Sequence, residues 1–424
     1  MNQHIHRICL ATVLVFAASG DGKAQETPAS TKDWLKNNLI ISYWCGPPSA
    51  RTEELLYQNI KDGGFNAAMP YHDGTKLTDF TKEKNLKYLD MCQKVGIKAL
   101  VADPRIWEMV RDKEKYPGPI GQYLDAAIAD YASHPALLGY IVDDEPGASL
   151  FPRIAETVEY LRKKDPTHIT YINLLPTYAS VHQQLQTATY QEYVEKFLST
   201  VKCDLSGYDN YNGFKEWNEG SDKGKGLPPG PDFYNNLEIF RPIAAKHHQT
   251  WAVCIHPDAN DTRLRVMACL AYGARGIFYF TYWNAWPAFL VNDGAPTPEY
   301  EVAKKLNQEI GALSKVLLGL ECEAVYHVGE ITGSCQPLPS GGSIPKVEGG
   351  NAIVSLFKDA AGARYLMVVN KENAKVQTLT IAFDAPVSLK EVSHSDGSFA
   401  DLGKSSSFQF PFEGGDGRLF KIIK

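Results

Sequence analysis

Short apolar, β-favouring runs recur along the first three quarters of the chain, each followed by a stretch in which apolar residues return with helical spacing. That alternation predicts βα units around a parallel sheet. The predicted strands are Leu39 to Trp44, Phe65 to Pro70, Lys98 to Ala102, Leu137 to Val142, Ile169 to Leu174, Leu205 to Tyr208, Thr250 to Ile255 and Gly276 to Tyr282. The predicted helices are Thr52 to Lys61, Leu86 to Val95, Ile120 to Ser133, Leu150 to Lys164, Tyr190 to Thr200, Phe233 to His248, Thr262 to Tyr272 and Glu299 to Leu318. Eight such units in about 290 residues suit a closed (β/α)8 TIM barrel, expected over residues 33–319. A doubly wound open sheet would normally carry a Gly-rich phosphate loop. Neither GxGxxG nor GxxxxGK follows any strand, so no nucleotide cofactor is expected.

After Leu320 the texture changes to alternating strands with Gly, Pro, Asn and Asp turns, such as Asn351 to Phe357, Tyr365 to Asn370, Val376 to Phe383 and Leu419 to Ile423. This predicts a small all-β sandwich domain over residues 320–424, with Gly333 to Gly350 as a long exposed connection inside it. A length of 424 residues fits one large domain and a smaller one.

Charge and cysteine content narrow the setting. A net charge of -6 without Lys/Arg clusters offers no face for nucleic acid, whose phosphates need a basic surface. The first 25 residues read as an export signal: His6-Arg7 supplies positive charge, and Ile8 to Ala18 is apolar but too short for a stable span. Cleavage falls after Gly20 or near Ala24-Gln25, leaving a periplasmic or extracellular protein without a transmembrane segment. Of eight cysteines, Cys9 leaves with the signal and an odd number remains. Cys203, Cys254 and Cys269 sit in apolar segments as buried thiols, and Cys322 with Cys335 is the one pair considered for a bridge. No CxxC or Cys/His cluster has zinc spacing, so no structural metal is expected.

In a parallel barrel the active site is built at the C-terminal strand ends. Those positions carry Trp44 and Cys45, then Tyr71, His72 and Asp73, then Asp103 and Arg105, then Asp143, Asp144 and Glu145. Asn173, Asp209 and Tyr211, His256 and Asp258, and finally Tyr282, Trp283 and Asn284 complete the circuit. The acidic run Asp143-Asp144-Glu145 ends a wholly apolar strand. Acids also favour helix N-termini. Here, however, crowding at the catalytic face would raise a carboxyl pKa, keeping one acid protonated beside an ionised partner. Glycoside hydrolysis needs such a pair. Glu145 is the candidate acid, with Asp209 or Asp144 as the second carboxylate; Asp209 also suits a turn, and Glu216 and Glu219 are weaker candidates read as exposed. Aromatic residues crowd the same strand ends, among them Trp107, Tyr178, Tyr208 and Trp286. Trp44, Tyr71, His72, Asn173, Tyr211, His256, Tyr282 and Trp283 are expected to bind a carbohydrate, with Tyr282, Trp283 and Trp286 the best stacking faces.

The run His134-Pro135-Ala136-Leu137-Leu138-Gly139-Tyr140 leading into Asp144-Glu145-Pro146 resembles the fourth-strand region of barrel glycoside hydrolases of the large retaining clan that includes the β-galactosidases. Arg263 to Tyr282, with Gly273-Ala274-Arg275-Gly276-Ile277, and the tail segment Tyr365 to Asn370 are similar to the same proteins. The resemblance implies a sugar-cleaving barrel in which Glu145 is the acid/base. Two departures stand against it. The clan's nucleophilic Glu at the end of strand seven is replaced by His256-Pro257, and the Asn before its acid/base is Asp144.

Two other readings follow. A non-catalytic carbohydrate-binding barrel would tolerate the missing strand-seven Glu. A metal-dependent hydrolase could use His72, Asp103, Asp209 and His256, whose types suit zinc or manganese, but neither HxH after the first strand nor HExxH is present.

Overall fold

The computed structural model describes residues 30–71, 80–211, 231–258, 260–284, 289–341 and 344–423. The expected signal, His72, Asp73, Glu216, Glu219 and Trp286 lie outside these residues. Among the described residues no helix is long and apolar enough to cross a membrane.

Eight parallel strands alternate with helices: β1 (Ile40–Tyr43), β2 (Ala67–Ala68), β3 (Lys98–Val101), β4 (Leu137–Asp144), β5 (Ile169–Leu174), β6 (Leu205–Tyr208), β7 (Ala252–Ile255) and β8 (Gly276–Tyr279). They form two arcs, β2-β3-β4-β5-β6 and β7-β8-β1. At the β6/β7 seam the arcs are linked by isolated parallel bridges, Ser206 with Trp251 and Asp209 with Cys254. At the β1/β2 seam one backbone bond, from the Asn66 amide to the Ile41 carbonyl at 3.1 Å, is supplemented by a side chain. Asn66 accepts from the Ile41 amide at 2.9 Å and donates to the Leu39 carbonyl at 2.8 Å. The strand expected over Phe65 to Pro70 therefore shortens to two paired residues.

The strands are apolar along almost their whole length because helices cover one face and side chains fill the interior. Tyr171 and Phe278 stack inside at 5.1 Å between centroids. Helix ends follow local chemistry: Lys82–Val95 starts at Thr81, whose hydroxyl accepts from the Lys84 amide, and stops at Gly96 with φ +74°.

From Leu320 the chain is antiparallel: β11 (Leu320–Val328), β12 (Lys346–Glu348), β13 (Ala352–Asp359), β14 (Arg364–Asn370), β15 (Gln377–Val392), β16 (Phe399–Phe412) and β17 (Gly417–Ile423). A small hairpin, β9 (Val291–Asn292) with β10 (Ala295–Pro296), precedes them. Instead of two independently bonded sheets, these seven strands form one connected sheet in the order β11-β13-β14-β17-β15-β12, with β16 on β15. β15 is shared. Its first part pairs with β12 and its second with β17, across a register break between Ala382 and Val387.

Period-two alternation gives this sheet two buried faces. Val354, Leu366 and Val368 enter a core of its own, while Ile353, Tyr365, Met367 and Val369 join the main core. The helix Thr262–Ala271 lies between sheet and strands, which explains why nearly all of it is buried. Its Arg265, 1% exposed, is compensated by Asp261 at 2.6 Å.

All seven described cysteines are free thiols, so the considered Cys322–Cys335 bridge does not form. Cys322 faces the Ala271 carbonyl, whereas Cys335 sits beside Glu238 and His327.

Candidate active site

β4 is the longest parallel strand, and its register against β5 shifts between Ile141 and Asp143. The three acids then diverge. Asp143, 0% exposed, accepts from Arg111 Nε at 2.8 Å. Arg111 also donates to the Asp144 carbonyl. Asp144 points the other way, accepting from Asn173 Nδ2 at 3.1 Å. Glu145 follows with φ +49°, a left-handed backbone costing a non-glycine residue about 1–3 kcal/mol. Its amide is held by the Asn173 carbonyl at 2.9 Å, and the next carbonyl, of Pro146, accepts from the Tyr193 hydroxyl at 2.7 Å.

Asn173 at the end of β5 joins the neighbouring strand ends. Its Nδ2 also donates to Asp209 Oδ1 at 2.8 Å, and the same oxygen accepts from the Tyr211 hydroxyl at 2.8 Å. Gly207 makes room for this row, because a Cβ there would meet the Tyr171 hydroxyl at 2.6 Å and Asn173 Oδ1 at 2.8 Å. Glu145 and Asp209 lie close enough that each shifts the other's carboxyl. Asp144, Glu145, Asn173, Asp209 and Tyr211 thus form one polar group drawn from β4, β5 and the segment after β6.

Burial and mutual repulsion shift these acids. Glu145 is exposed to solvent on one side, yet the protein packed around it and then the Asp209 charge raise its carboxyl to about 9. Burial, then Asp144, lifts Asp209 to about 6, with hydrogen bonds from Glu145, Asn173 and Tyr211 opposing the rise. Asp144 is pushed to about 8 by burial and then by Glu145. Within this crowded group Glu145 and Asp144 are raised further than Asp209, so Asp209 is the acid that gives up its proton first.

The other expected residues are placed as follows. His256, 1% exposed, packs against Tyr211 with ring centroids 4.4 Å apart and planes tilted by 46°, and its Nδ1 is 2.9 Å from the Phe280 carbonyl. Burial presses its pKa down to about 3, so it is neutral. Trp44 lies one layer back, 6.4 Å from the Tyr171 ring. Tyr71 is half-buried. Tyr282 is not an open stacking face: it is 1% exposed and packs on Tyr43 at 4.5 Å and on Phe65 at 5.7 Å. Trp283 is likewise buried, with the Arg51 guanidinium over its ring at 5.6 Å. Tyr178 is instead the open aromatic. It is 44% exposed, and its hydroxyl accepts from the Tyr211 amide at 3.1 Å. Arg111 could have been sought as the cation that a buried Asp143 demands.

The residues of the metal-dependent reading do not converge among those described. Asp103 is held by Arg105 at 2.7 Å and by the Tyr131 hydroxyl at 2.6 Å, and His256 is turned to a carbonyl. A cavity of about 800 Å³ lined by Arg241, Trp251, Arg275 and Phe357 does not include the acids. It opens beside residues preceding β7 and β8, the end opposite Glu145.

No protein-family profile matches the chain. No curated protein matches it in sequence. Solved structures do. A glycoside hydrolase superposes with a TM-score of 0.53 at 12% identity, covering 91% of this chain and 92% of that one. A glycoside hydrolase family 5 protein from Bacteroides vulgatus ATCC 8482 gives 0.52 at 12% identity, covering 91% and 89%. At such identities the likeness is one of architecture, spanning the parallel strands and the antiparallel tail together: this chain has the fold of glycoside hydrolases.

Proposed function

We propose that the protein is an exported glycoside hydrolase, a (β/α)8 barrel with a β-sandwich tail, in which Glu145 is the general acid and Asp209 the ionised partner. The observation that carries this reading is the polar group in which Asn173 holds both Asp144 and Asp209, with Glu145 beside them and raised further than Asp209 by burial and by the Asp209 charge. The fold shared with glycoside hydrolases supports it, and the N-terminal charged and apolar run supports export.

Carboxyls near enough to shift one another in this way leave less room than the roughly 5–5.5 Å of retaining pairs or the roughly 6.5–9.5 Å of inverting ones. A sugar must therefore part the pair. Asp209 is pinned by Asn173 and Tyr211, whereas Glu145 is exposed, so Glu145 is the member that swings outward to meet the leaving oxygen. Tyr178 offers the open aromatic surface beside it. Asp144, on the same asparagine, is the second choice for the partner.

The test is release of reducing ends from a glycan panel. Glu145→Gln and Asp209→Asn should each lose at least ~100-fold in turnover, and azide should restore Asp209→Asn if Asp209 attacks the sugar. Binding of a glycan that the wild type never cleaves would convert the reading to a carbohydrate-binding barrel.

A further inference from the structure

Away from the acids, Glu238, His327 and Cys335 bring their ligand atoms within 4.8 Å of one another. Among the described residues this is the only such group of three His, Cys, Asp or Glu. The three come from separate elements. Glu238 lies on the helix Pro231–Lys246 that precedes β7, His327 on β11, and Cys335 in the connection that follows β11. The group therefore sits where the antiparallel sheet meets the parallel domain.

His327 is 0% exposed, and its Nδ1 has no hydrogen-bond partner. The neighbouring phenol of Tyr272 accounts for the other nitrogen. Tyr272 donates to Glu238 Oε1 at 2.6 Å, so its oxygen accepts from His327 Nε2–H at 2.9 Å. That relay leaves Nδ1 without a hydrogen-bonding protein group, which is uncommon for a buried ring nitrogen. Burial, and then Lys371, press the imidazole toward its neutral form.

We propose that Glu238, His327 and Cys335 bind one divalent zinc-type cation that clamps the antiparallel sheet to the parallel domain. Nitrogen, sulfur and oxygen donors together suit zinc, and the thiolate and carboxylate charges neutralise the ion. The Cys335 thiol is held protonated by burial, with a pKa of about 11. Forming its sulfur–metal bond therefore releases the thiol proton to solvent. Tyr272 remains as the outer hydrogen-bonding partner that orients its neighbours. The role is structural, so it stands or falls independently of any sugar chemistry.

The experiment uses the full chain, stripped with chelator and reloaded with zinc or cobalt salts alone. Expected are one metal per chain, a higher thermal midpoint with zinc, and a thiolate-to-cobalt charge-transfer band. Cys335→Ser should lose the band and the thermal shift, while Cys322→Ser keeps both. Because Cys335→Ser could perturb folding, its circular dichroism is recorded beside wild type, and His327→Gln provides a second variant with the same expected loss. A wild type that takes up no metal, or a cobalt band that survives in folded Cys335→Ser, would overturn the proposal.

Discussion

The Tyr211 hydroxyl donates to Asp209 Oδ1 across 2.8 Å while its ring packs, tilted, against His256 at 4.4 Å, so one side chain both orients and stabilises a carboxylate. With Asp209 ionising near 6 and Glu145 near 9, kcat/KM should rise through the first value and fall through the second. These midpoints belong to the interacting pair rather than to either residue. Tyr211→Phe removes a bond that favours the charged Asp209, so the acidic limb should move up by about half a unit to one unit. An unchanged limb in that variant would detach Tyr211 from the reaction.

Stability should carry the same signature with its own sign. Glu145 has a folded pKa above its unfolded value, so the folded state holds a proton that the unfolded chain has released. The associated stability is present below about pH 4 and is lost as pH rises through about 9. Glu145→Gln cannot ionise and should be more stable than wild type at pH 9, by roughly 1 kcal/mol after allowance for solvent screening. Parallel urea titrations at pH 5 and pH 9 measure this. A difference that does not grow with pH would contradict the crowded-acid description.

Arg111 has 40% of its side chain exposed and Asp143 none. Arg111→Met strands a buried acid, and the expected loss is about 3 kcal/mol, the low end for a broken buried pair because the cation is partly in water. Asp143→Asn in the same chain should recover part of it. The unfolding midpoints of the two single variants and the double variant form the test, and a double variant no better than Arg111→Met would show that the pair is not coupled.

Much of the architecture was legible in the one-dimensional pattern, because strand and helix periods are local properties of the chain. Leu137 to Val142 and Ile169 to Leu174 stand out as apolar runs between amphipathic helices, and the antiparallel tail announces itself by alternation and turns. Phe65 to Pro70 shortens because beside β1 the ladder is reduced to one Asn66 backbone bond and two bonds of the Asn66 side chain, which no propensity encodes. Tyr282 looked like a sugar platform by position, yet Tyr43 and Phe65 cover it.

Residue types and order by themselves determined the acid run after the fourth strand, the missing Glu after the seventh and the change of texture at Leu320. Tertiary structure alone decided which acids lie together, since Glu145, Asp144 and Asp209 become neighbours only when β4, β5 and β6 lie side by side. It also decided that Glu238, His327 and Cys335 converge across the joint. Carboxyl pKa values and ligand sets depend on distances and burial, and both arise from packing between segments remote in the chain.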